Sequence, residues 1–338
     1  MIIFSSAVAG SDRIKLEKQT VKLAAKKNKK IEIINLIDEM VKVANKTNPY
    51  INSKNLPNLD IENVKTLKDS ALKEVRSYID KNPKNDYIID GHLSFWWRGG
   101  PLGLINSKDM KLLNPDFFIS VVNDPKTVTN TLKDKKSWED KTVEEYEIAL
   151  WSEAEIYTAD LISSSIGKKN YIIGSKEDPI TLLELIYRKD KPKAYISFSI
   201  EHRESGYEKL NSFIKKMKKY LIVFNPLAVD INAYKAAEEN ERLKELIFNQ
   251  TVRRDFHFID QTDITIVYLS DLVYSSGVDG ERMHAHFTGK RVLLYFPFKN
   301  YSPFTPYFVD NMYKDEKELL NEIKLMAKKY TENQKSRK

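Results

Sequence analysis

Two carboxylates in the second half of the chain stand among residues that could support chemistry. Glu281 ends the stretch SSGVDGE, and Asp255 follows two arginines in TVRRDF. A carboxylate beside a reacting carbon can act as a nucleophile, and a second carboxyl group of raised pKa can supply a proton. Both residues also have structural interpretations. A glutamate in the first turn of a helix is favoured by the helix dipole, and Asp255 could pair with Arg253 or Arg254.

Buried strands must position these residues. In an open parallel sheet, ligands bind where the carboxyl ends of strands meet the starts of helices. Three polar segments of the second half adjoin predicted strands, namely SFSIEHRESG, TVRRDFHFIDQTD and SSGVDGERMH. The predicted strands are Ala194–Ser199, Leu221–Asn225, Ile264–Leu269 and Val292–Phe296.

The first half alternates strands and helices in the same way. The predicted strands are Ile2–Ser5, Tyr87–Asp90, Phe117–Val122 and Tyr171–Ile173, and the predicted helices are Asp12–Ala25, Val64–Ile79 and Val143–Ser165. Such alternation indicates a parallel sheet with helices on both faces, here built twice. The charged segment YRKDKPK, which contains a proline, is the expected boundary. We therefore predict an α/β protein with doubly wound parallel-sheet domains at residues 1–188 and 193–330, followed by a disordered tail at 331–338.

The composition of the 338 residues limits the possible functions. The hydrophobic content of 41% and the charged content of 30% fit folded domains. The absence of cysteine excludes disulfide scaffolds, cysteine-ligated metals and thiol catalysis. The net charge of +7 fits phosphorylated ligands and is also compatible with nucleic acid. The opening MIIFSSAVAG reads as a buried strand and not a signal peptide, and no apolar stretch reaches membrane-spanning length, so we expect a cytoplasmic protein without membrane contact.

The segment from Ala194 to Pro297 resembles the nucleoside 2-deoxyribosyltransferase family, especially its deoxynucleoside monophosphate N-hydrolase branch. That branch has a serine, then Gly-Val, then a glutamate at the spacing seen in SSGVDGE, followed by a helix and a Gly-Lys before the next strand. The resemblance implies a flavodoxin-like domain in which Glu281 is the nucleophile and Asp255 handles the nucleobase. The residues that it assigns to substrate binding are Ser275, Ser276, Gly277, Asp263, Tyr195 and Ser199.

The chemistry implied by this resemblance is cleavage of the bond between a base and a sugar. Breaking an N-glycosidic bond develops positive charge at the anomeric carbon, which a carboxylate stabilises or attacks. The leaving base needs a proton, so Glu281 and Asp255 could divide the two tasks. A monophosphate would suit serine hydroxyls and free N–H groups at a helix start, with Arg203 adding a bidentate contact. We expect a nucleotide N-glycosidase or deoxyribosyltransferase that acts on a (deoxy)nucleoside monophosphate or related nucleotide, without a cofactor.

Metal binding is not predicted. Glu281 and His284 have the Glu-x-x-His spacing that places both side chains on one helical face. A carboxylate-bridged metal would need matching ligands from other helices, and the sequence contains no partner motif.

The first half resembles small nucleotide kinases of the adenylate-kinase-like type. FSSAVAGSDRIKLEKQ has the strand, glycine turn and helix of a P-loop, but Ala7, Asp12 and Ile14 replace the two motif glycines and the magnesium-binding hydroxyl. Arg13 replaces the motif lysine. We therefore expect a degenerate P-loop domain that could still bind a nucleotide, and the candidate contacts are Gly10, Ser11, Arg13, Asp90 and His92.

Two other functions stay open. Both domains could be degenerate, which would leave a non-catalytic nucleotide-binding or sensing protein. The basic charge also allows a nucleic-acid modification protein. Members of the deoxyribosyltransferase family complete their sites across subunit contacts, so the resemblance further implies a homodimer.

Overall fold

The computed structural model describes residues 1–97, 99–135, 138, 143–199, 206–229, 241–271 and 275–336. The chain divides into two compact units. The first contains Met1–Pro179 and Leu227–Phe248, and the second contains Ile180–Pro226 and Asn249–Lys338. Each unit is built around its own parallel sheet.

Seven strands belong to the first unit: β1 (Ile2–Ser6), β2 (Ile31–Asn35), β3 (Asp86–Gly91), β4 (Ser94–Trp97), β5 (Gly100–Gly103), β6 (Phe117–Val122) and β7 (Asn170–Gly174). The main sheet has the order β2-β3-β1-β6-β7, and every neighbouring pair is parallel. All five residues of β1 are buried, as expected for a central strand covered on both faces. This order places the carboxyl ends of β1 and β3 side by side.

Helices cover both faces of this sheet. They are α1 (Arg13–Lys26), α2 (Leu36–Asn45), α3 (Ile61–Lys81), α4 (Ser107–Leu113), α5 (Pro125–Lys133) and α6 (Glu145–Ser165). The start of α3 is fixed by Asp60, whose carboxylate accepts a hydrogen bond from the backbone N–H of Glu62 at 2.9 Å. Along α3, Val64, Ala71 and Val75 are buried at helical spacing, so one stripe of this helix joins the core.

A cluster of aromatic side chains packs beside the hairpin formed by β4 and β5. The ring of Trp151 on α6 lies 6.0 Å from that of Trp96 and 6.1 Å from that of Trp138. One turn further along α6, the buried carboxylate of Glu155 accepts hydrogen bonds from the backbone N–H groups of Leu93 at 2.7 Å and Ser94 at 2.8 Å. The hairpin is therefore anchored to α6 by both packing and hydrogen bonds.

The strands of the second unit are β8 (Lys193–Ser197), β9 (Ile222–Phe224), β10 (Ile264–Tyr268), β11 (Arg291–Tyr295) and β12 (Asn311–Tyr313). Their order is β12-β11-β10-β8-β9, again with parallel neighbours. This is the flavodoxin-like order, with its switch point between β8 and β10. The remaining helices are α7 (Pro179–Tyr187), α8 (Gly206–Met217), α9 (Glu241–Asp260), α10 (Ser276–Phe287), α11 (Phe304–Tyr307) and α12 (Glu316–Ser336).

The predicted fold class is confirmed, since two parallel sheets are flanked by helices. The last helix differs from the expected end of the chain, because α12 runs to Ser336 and so enters the segment for which the sequence predicts a disordered tail. Leu319, Ile323 and Ala327 bury one face of α12, and the hydroxyl of Thr331 donates to the backbone oxygen of Asp190 at 3.1 Å. Within the described ranges, no helix is both long enough and apolar enough to cross a membrane.

Gly174 at the end of β7 provides a test of packing in the first unit. A Cβ atom at this position would lie 2.5 Å from the backbone carbonyl of Ala228. We expect Gly174→Ala to lower the free energy of unfolding by about 1–3 kcal/mol, because the backbone must move to accept the methyl group. Chemical denaturation followed by circular dichroism measures this loss.

Gly103→Ala is the matched control, because a Cβ atom at Gly103 would meet nothing within 4 Å. Equal stability of the two variants would show that β7 does not need this close approach.

Candidate functional site

Helix α10 carries Glu281 to the sheet of the second unit. The helix begins after Ser275, whose hydroxyl accepts a hydrogen bond from the backbone N–H of Val278 at 3.4 Å. Ser276 and Gly277 are the first two helical residues, and Glu281 is the sixth. Glu281 therefore lies in the second turn and not the first, where the helix dipole acts most strongly. The helix dipole alone is a poor explanation for a glutamate at this position.

Strand β8 supplies the contacts of this carboxylate. The hydroxyl of Tyr195 donates to Oε1 of Glu281 at 2.8 Å, and the hydroxyl of Ser197 donates to Oε2. Tyr195 and Ser197 are two residues apart, so the alternation of a strand places both on one face of the sheet. Both are fully buried. Glu281 is thus held at both oxygens from β8, an interior strand beside the switch point.

Helix α9 brings Asp255 into the same region. Asp255 is 8% exposed, and its Oδ1 accepts hydrogen bonds from Nε and Nη2 of Arg254 at 3.1 and 3.0 Å. One turn later, the ring of Phe258 stacks on that of Tyr195, with centroids 6.2 Å apart. The predicted ion pair of Asp255 is therefore formed with Arg254, and it does not remove Asp255 from the surroundings of Glu281.

A second contact ties α9 to α10. The rings of Phe256 and His284 are stacked with centroids 4.0 Å apart and almost parallel planes. The Nε2 atom of His284 lies 2.9 Å from Oδ1 of Asp260. His284 thus joins the two helices that carry Glu281 and Asp255. Across the described part of the chain, no three histidine, aspartate or glutamate side chains are grouped as metal ligands would be.

Burial controls the protonation of this group. Burial, with the neighbouring charge of Asp255 as a second cause, raises the pKa of Glu281 to about 8, although the hydrogen bonds from Ser197 and Tyr195 oppose the shift. Burial also raises the pKa of Asp255, while the charge of Arg254 lowers it. Burial and the charge of Glu281 raise the pKa of Tyr195 well above its usual range. The two carboxyl groups therefore titrate as a pair, in which the negative charge of one favours the protonated form of the other.

The other predicted substrate contacts are divided among different places. Ser199 follows β8, and its buried hydroxyl has no hydrogen-bond partner among the described residues. Asp263 lies at the amino end of β10, where it accepts a hydrogen bond from the backbone N–H of Lys193 at 2.8 Å. The register of β8 and β10 separates Asp263 from Ser197 by four residues, or about 13 Å. Asp263 therefore braces the opposite end of the sheet. Arg203 lies outside the described residues.

Ser275 faces a cavity that Glu281 does not line. This cavity has a volume of about 680 Å³, and Ser275, Val278, Asp279 and Arg282 of α10 line it. Their spacing of three or four residues defines one face of the helix. The structure thus places Ser275 and Glu281 on different faces of α10.

The candidate contacts of the first unit lie around the region where β1 meets α1, but they are engaged with other groups of the same unit. The buried guanidinium of Arg13 forms an ion pair with Asp90, donates to the backbone oxygen of Gly91, and lies 3.7 Å from the carboxylate of Glu17. The Nδ1 atom of His92 lies 2.6 Å from the backbone oxygen of Ala7. Burial, with the charge of Arg13 as a second cause, lowers the pKa of His92 to about 3.

Gly10 and Ser11 are also enclosed. Gly10 adopts a φ of 86°, and a Cβ atom there would lie 3.1 Å from the side chain of Leu132. The backbone oxygen of Ser11 accepts a hydrogen bond from the amide of Asn123 at 3.3 Å. Side chains of the unit itself therefore contact the loop at Gly10 and Ser11.

An adjacent cavity offers space for a ligand. It has a volume of about 820 Å³, and Asn35, Asp90, Lys18 and Lys42 are among its lining residues. The amide of Asn35 donates to Asp90 at 2.7 Å, so the buried ion pair of Arg13 forms part of the wall. Asp90 is therefore a predicted contact of this unit that lines a cavity.

Sequence reasoning missed Ser197 and Glu155. The alternation in YISFS places residues 195, 197 and 199 on one strand face, which is a signal that could have identified Ser197 beside Tyr195 and Ser199. Glu155 lies within a regular helical segment, and its bonds to Leu93 and Ser94 join parts of the chain about 60 residues apart. No local pattern marks such a contact.

Comparisons with known proteins give two similarities. A family model described as an AAA domain matches residues 18–147, a range that begins inside α1, after the loop with Gly10 and Arg13. The first unit is therefore similar to a P-loop-like nucleotide-binding domain. No curated protein matches the chain. A solved structure of a CMP N-glycosidase, BcmB, from Clostridium botulinum is 17% identical, covers 39% of this chain and 97% of that chain, and has a TM-score of 0.27.

The ion pair of Arg13 generates a stability prediction. Arg13→Gln would leave Asp90 as a buried charge without its cation, so we expect the free energy of unfolding to fall by about 3–5 kcal/mol. Chemical denaturation measures the change. Lys15→Gln, which alters an exposed residue of the same helix, is expected to change stability very little. A loss in Arg13→Gln no larger than that of the control would contradict the buried pair.

The raised pKa of Glu281 generates a pH prediction. The folded protein keeps a proton up to about pH 8 that the unfolded chain releases above about 4.5, so burial of Glu281 weakens stability progressively as pH rises between these values. Glu281→Gln removes this loss. We expect the variant to be more stable than the wild type at pH 8, with a difference that disappears toward about pH 4.

Denaturant titrations at several pH values measure this difference. Glu318→Gln, at an exposed glutamate in α12, serves as the control whose stability should follow the wild type. A gain in Glu281→Gln that does not change with pH would mean that Glu281 does not titrate in this range.

Proposed function

We propose that the second unit is a nucleotide N-glycosidase or deoxyribosyltransferase that acts through Glu281. The observation that carries this proposal is the partly buried Glu281 carboxylate, which is fixed at both oxygens by Tyr195 and Ser197 and accompanied by Asp255. A structural glutamate gains little from burial, because removing a carboxylate from water is costly. Perturbed carboxyl groups arranged in this way are typical of sites that attack carbon and transfer protons.

The two carboxyl groups can perform both halves of the reaction. Ionised Glu281 attacks the anomeric carbon of the sugar while the C–N bond to the base breaks. Protonated Asp255 gives its proton to the departing base nitrogen. Water then opens the glycosyl ester in hydrolysis, or a second base does so in transfer. The hydroxyls of Tyr195 and Ser197 hold the attacking oxygens in place at the start and stabilise the carboxylate when it is released.

The substrate is proposed to be a (deoxy)nucleoside monophosphate or a related nucleotide. The orphaned hydroxyl of Ser199 supports a ligand at the carboxyl end of β8, because buried polar groups rarely lack a partner. The similarity of the first unit to a nucleotide-binding domain supports the same class of ligand.

Release of free base tests the proposal. Nucleosides, deoxynucleoside monophosphates and NAD would be incubated with the full-length protein, and the products would be separated by chromatography. We expect base release from at least one nucleotide, with a loss of at least about a thousandfold in Glu281→Ala, because the nucleophile is removed. Glu318→Ala, at a first-turn glutamate of another helix, should retain full activity.

The remaining outcomes separate the alternatives. Nucleotide binding without base release from any substrate would favour a non-catalytic sensor over an enzyme. Salt-sensitive binding of RNA or DNA would favour a nucleic-acid modification protein. Equal base release by the wild type and Glu281→Ala, with both proteins folded, would assign the chemistry to other residues.

A further inference from the structure

The two carboxyl groups of the candidate site have partners of different charge. Asp255 receives two hydrogen bonds from the cationic guanidinium of Arg254, both on its Oδ1 atom. Glu281 receives its two bonds from the neutral hydroxyls of Tyr195 and Ser197. A cation stabilises an ionised carboxyl group far more than a hydroxyl does. The arrangement therefore favours the proton on Glu281 and the negative charge on Asp255.

This distribution is opposite to the one that the proposed reaction needs. Attack on the anomeric carbon requires Glu281 to be ionised, and protonation of the leaving base requires Asp255 to carry the proton. The resting site is therefore held in the unreactive arrangement by Arg254. A change at Arg254 would convert one arrangement into the other.

Arg254 has the exposure that such a change requires. Its side chain is 20% exposed, whereas Asp255 is nearly covered. Both of its contacts with Asp255 use Nε and Nη2. An anionic group of a ligand could therefore bind the guanidinium bidentately and compete with Asp255 for it.

We propose that Arg254 is a positioning residue that keeps the shared proton on Glu281, and that an anionic group of the substrate releases this proton to Asp255 by drawing Arg254 away. The proposal rests on the proposed function and adds a requirement for negative charge on the substrate. The step is balanced: the acid form of Glu281 loses one proton, the carboxylate of Asp255 gains it, and no other group changes charge. The nucleophile and the proton donor are formed together.

The surrounding charged groups do not supply an equivalent switch. From β8, Tyr195 faces Glu281 with a pKa well above its usual range, so it stays a neutral donor. From α10, His284 is directed to Asp260 and the ring of Phe256. Among the described residues of the site, Arg254 is therefore the group through which a ligand anion can change the protonation of both carboxyl groups.

The experiment follows the titration of Glu281 by carbon-13 NMR of glutamate carboxyl groups in the full-length protein, with the signal assigned from Glu281→Gln. Ribose 5-phosphate is the anionic probe, since it has no base to release, and ribose is the neutral control. We expect ribose 5-phosphate to lower the pH midpoint of Glu281 by at least about one unit and ribose to leave it unchanged.

Arg254→Gln and Arg253→Gln form a matched pair of neighbouring arginines, of which Arg253 is exposed. In Arg254→Gln, the midpoint of Glu281 should lie below that of the wild type, the midpoint of Asp255 should lie above that of the wild type, and the probe should move neither. Arg253→Gln should behave as the wild type does. Opposite movement of the two midpoints would not follow from a purely structural role of Arg254.

Turnover provides the second measurement. In the wild type, kcat/KM for a nucleoside monophosphate should exceed that for the nucleoside by at least about tenfold, and this preference should fall toward unity in Arg254→Gln. A Glu281 midpoint that stays high in Arg254→Gln, or an unchanged substrate preference, would overturn the proposal. Absence of base release from every substrate would instead reject the proposed function, and the NMR titration would still decide where the proton lies.

Discussion

The second unit depends on the contact between the partly buried Glu281 and two hydroxyls of the interior strand β8. A carboxylate is costly to remove from water, and it persists in a protein interior only where donors are fixed in advance. Tyr195 and Ser197 meet this requirement because they lie on one face of β8, at the switch point of the sheet. The helix that presents Glu281 must then start at a defined residue, which Ser275 ensures as its cap.

The first unit handles a buried charge in a different way. Its first loop has a glycine of positive φ between a strand and a helix, and the cation that would meet a phosphate in a P-loop forms an ion pair with Asp90. Asp90 occupies the role that an anionic ligand has in an active P-loop, and Leu132 covers the glycine that would approach it. The unit has thus kept a nucleotide-binding architecture while its charges are balanced internally.

The sequence predicted the layers and most of the strands, because each of these strands is a short apolar run between turns, but it predicted no strand at β2, β4, β5 or β12. Glu281 and Asp255 were also indicated by recognisable turn and helix patterns, and their roles in chemistry stay a proposal. The sequence could not predict the faces on which side chains lie. Ser275 and Glu281 are close in sequence, but α10 directs them to different surfaces. Asp263 adjoins a strand, but at its amino end, so that proximity in sequence did not mean proximity to the site.

The aromatic cluster around Trp151 has a spectroscopic consequence. The four tryptophans of the chain are at positions 96, 97, 138 and 151, and all of these fall in the first unit. Emission excited selectively from tryptophan therefore originates in the first unit. The second unit has no tryptophan, so its own fluorescence comes from its tyrosines. Unfolding of the two units can accordingly be distinguished within the intact chain, without any label, by comparing tryptophan fluorescence with a signal to which both units contribute.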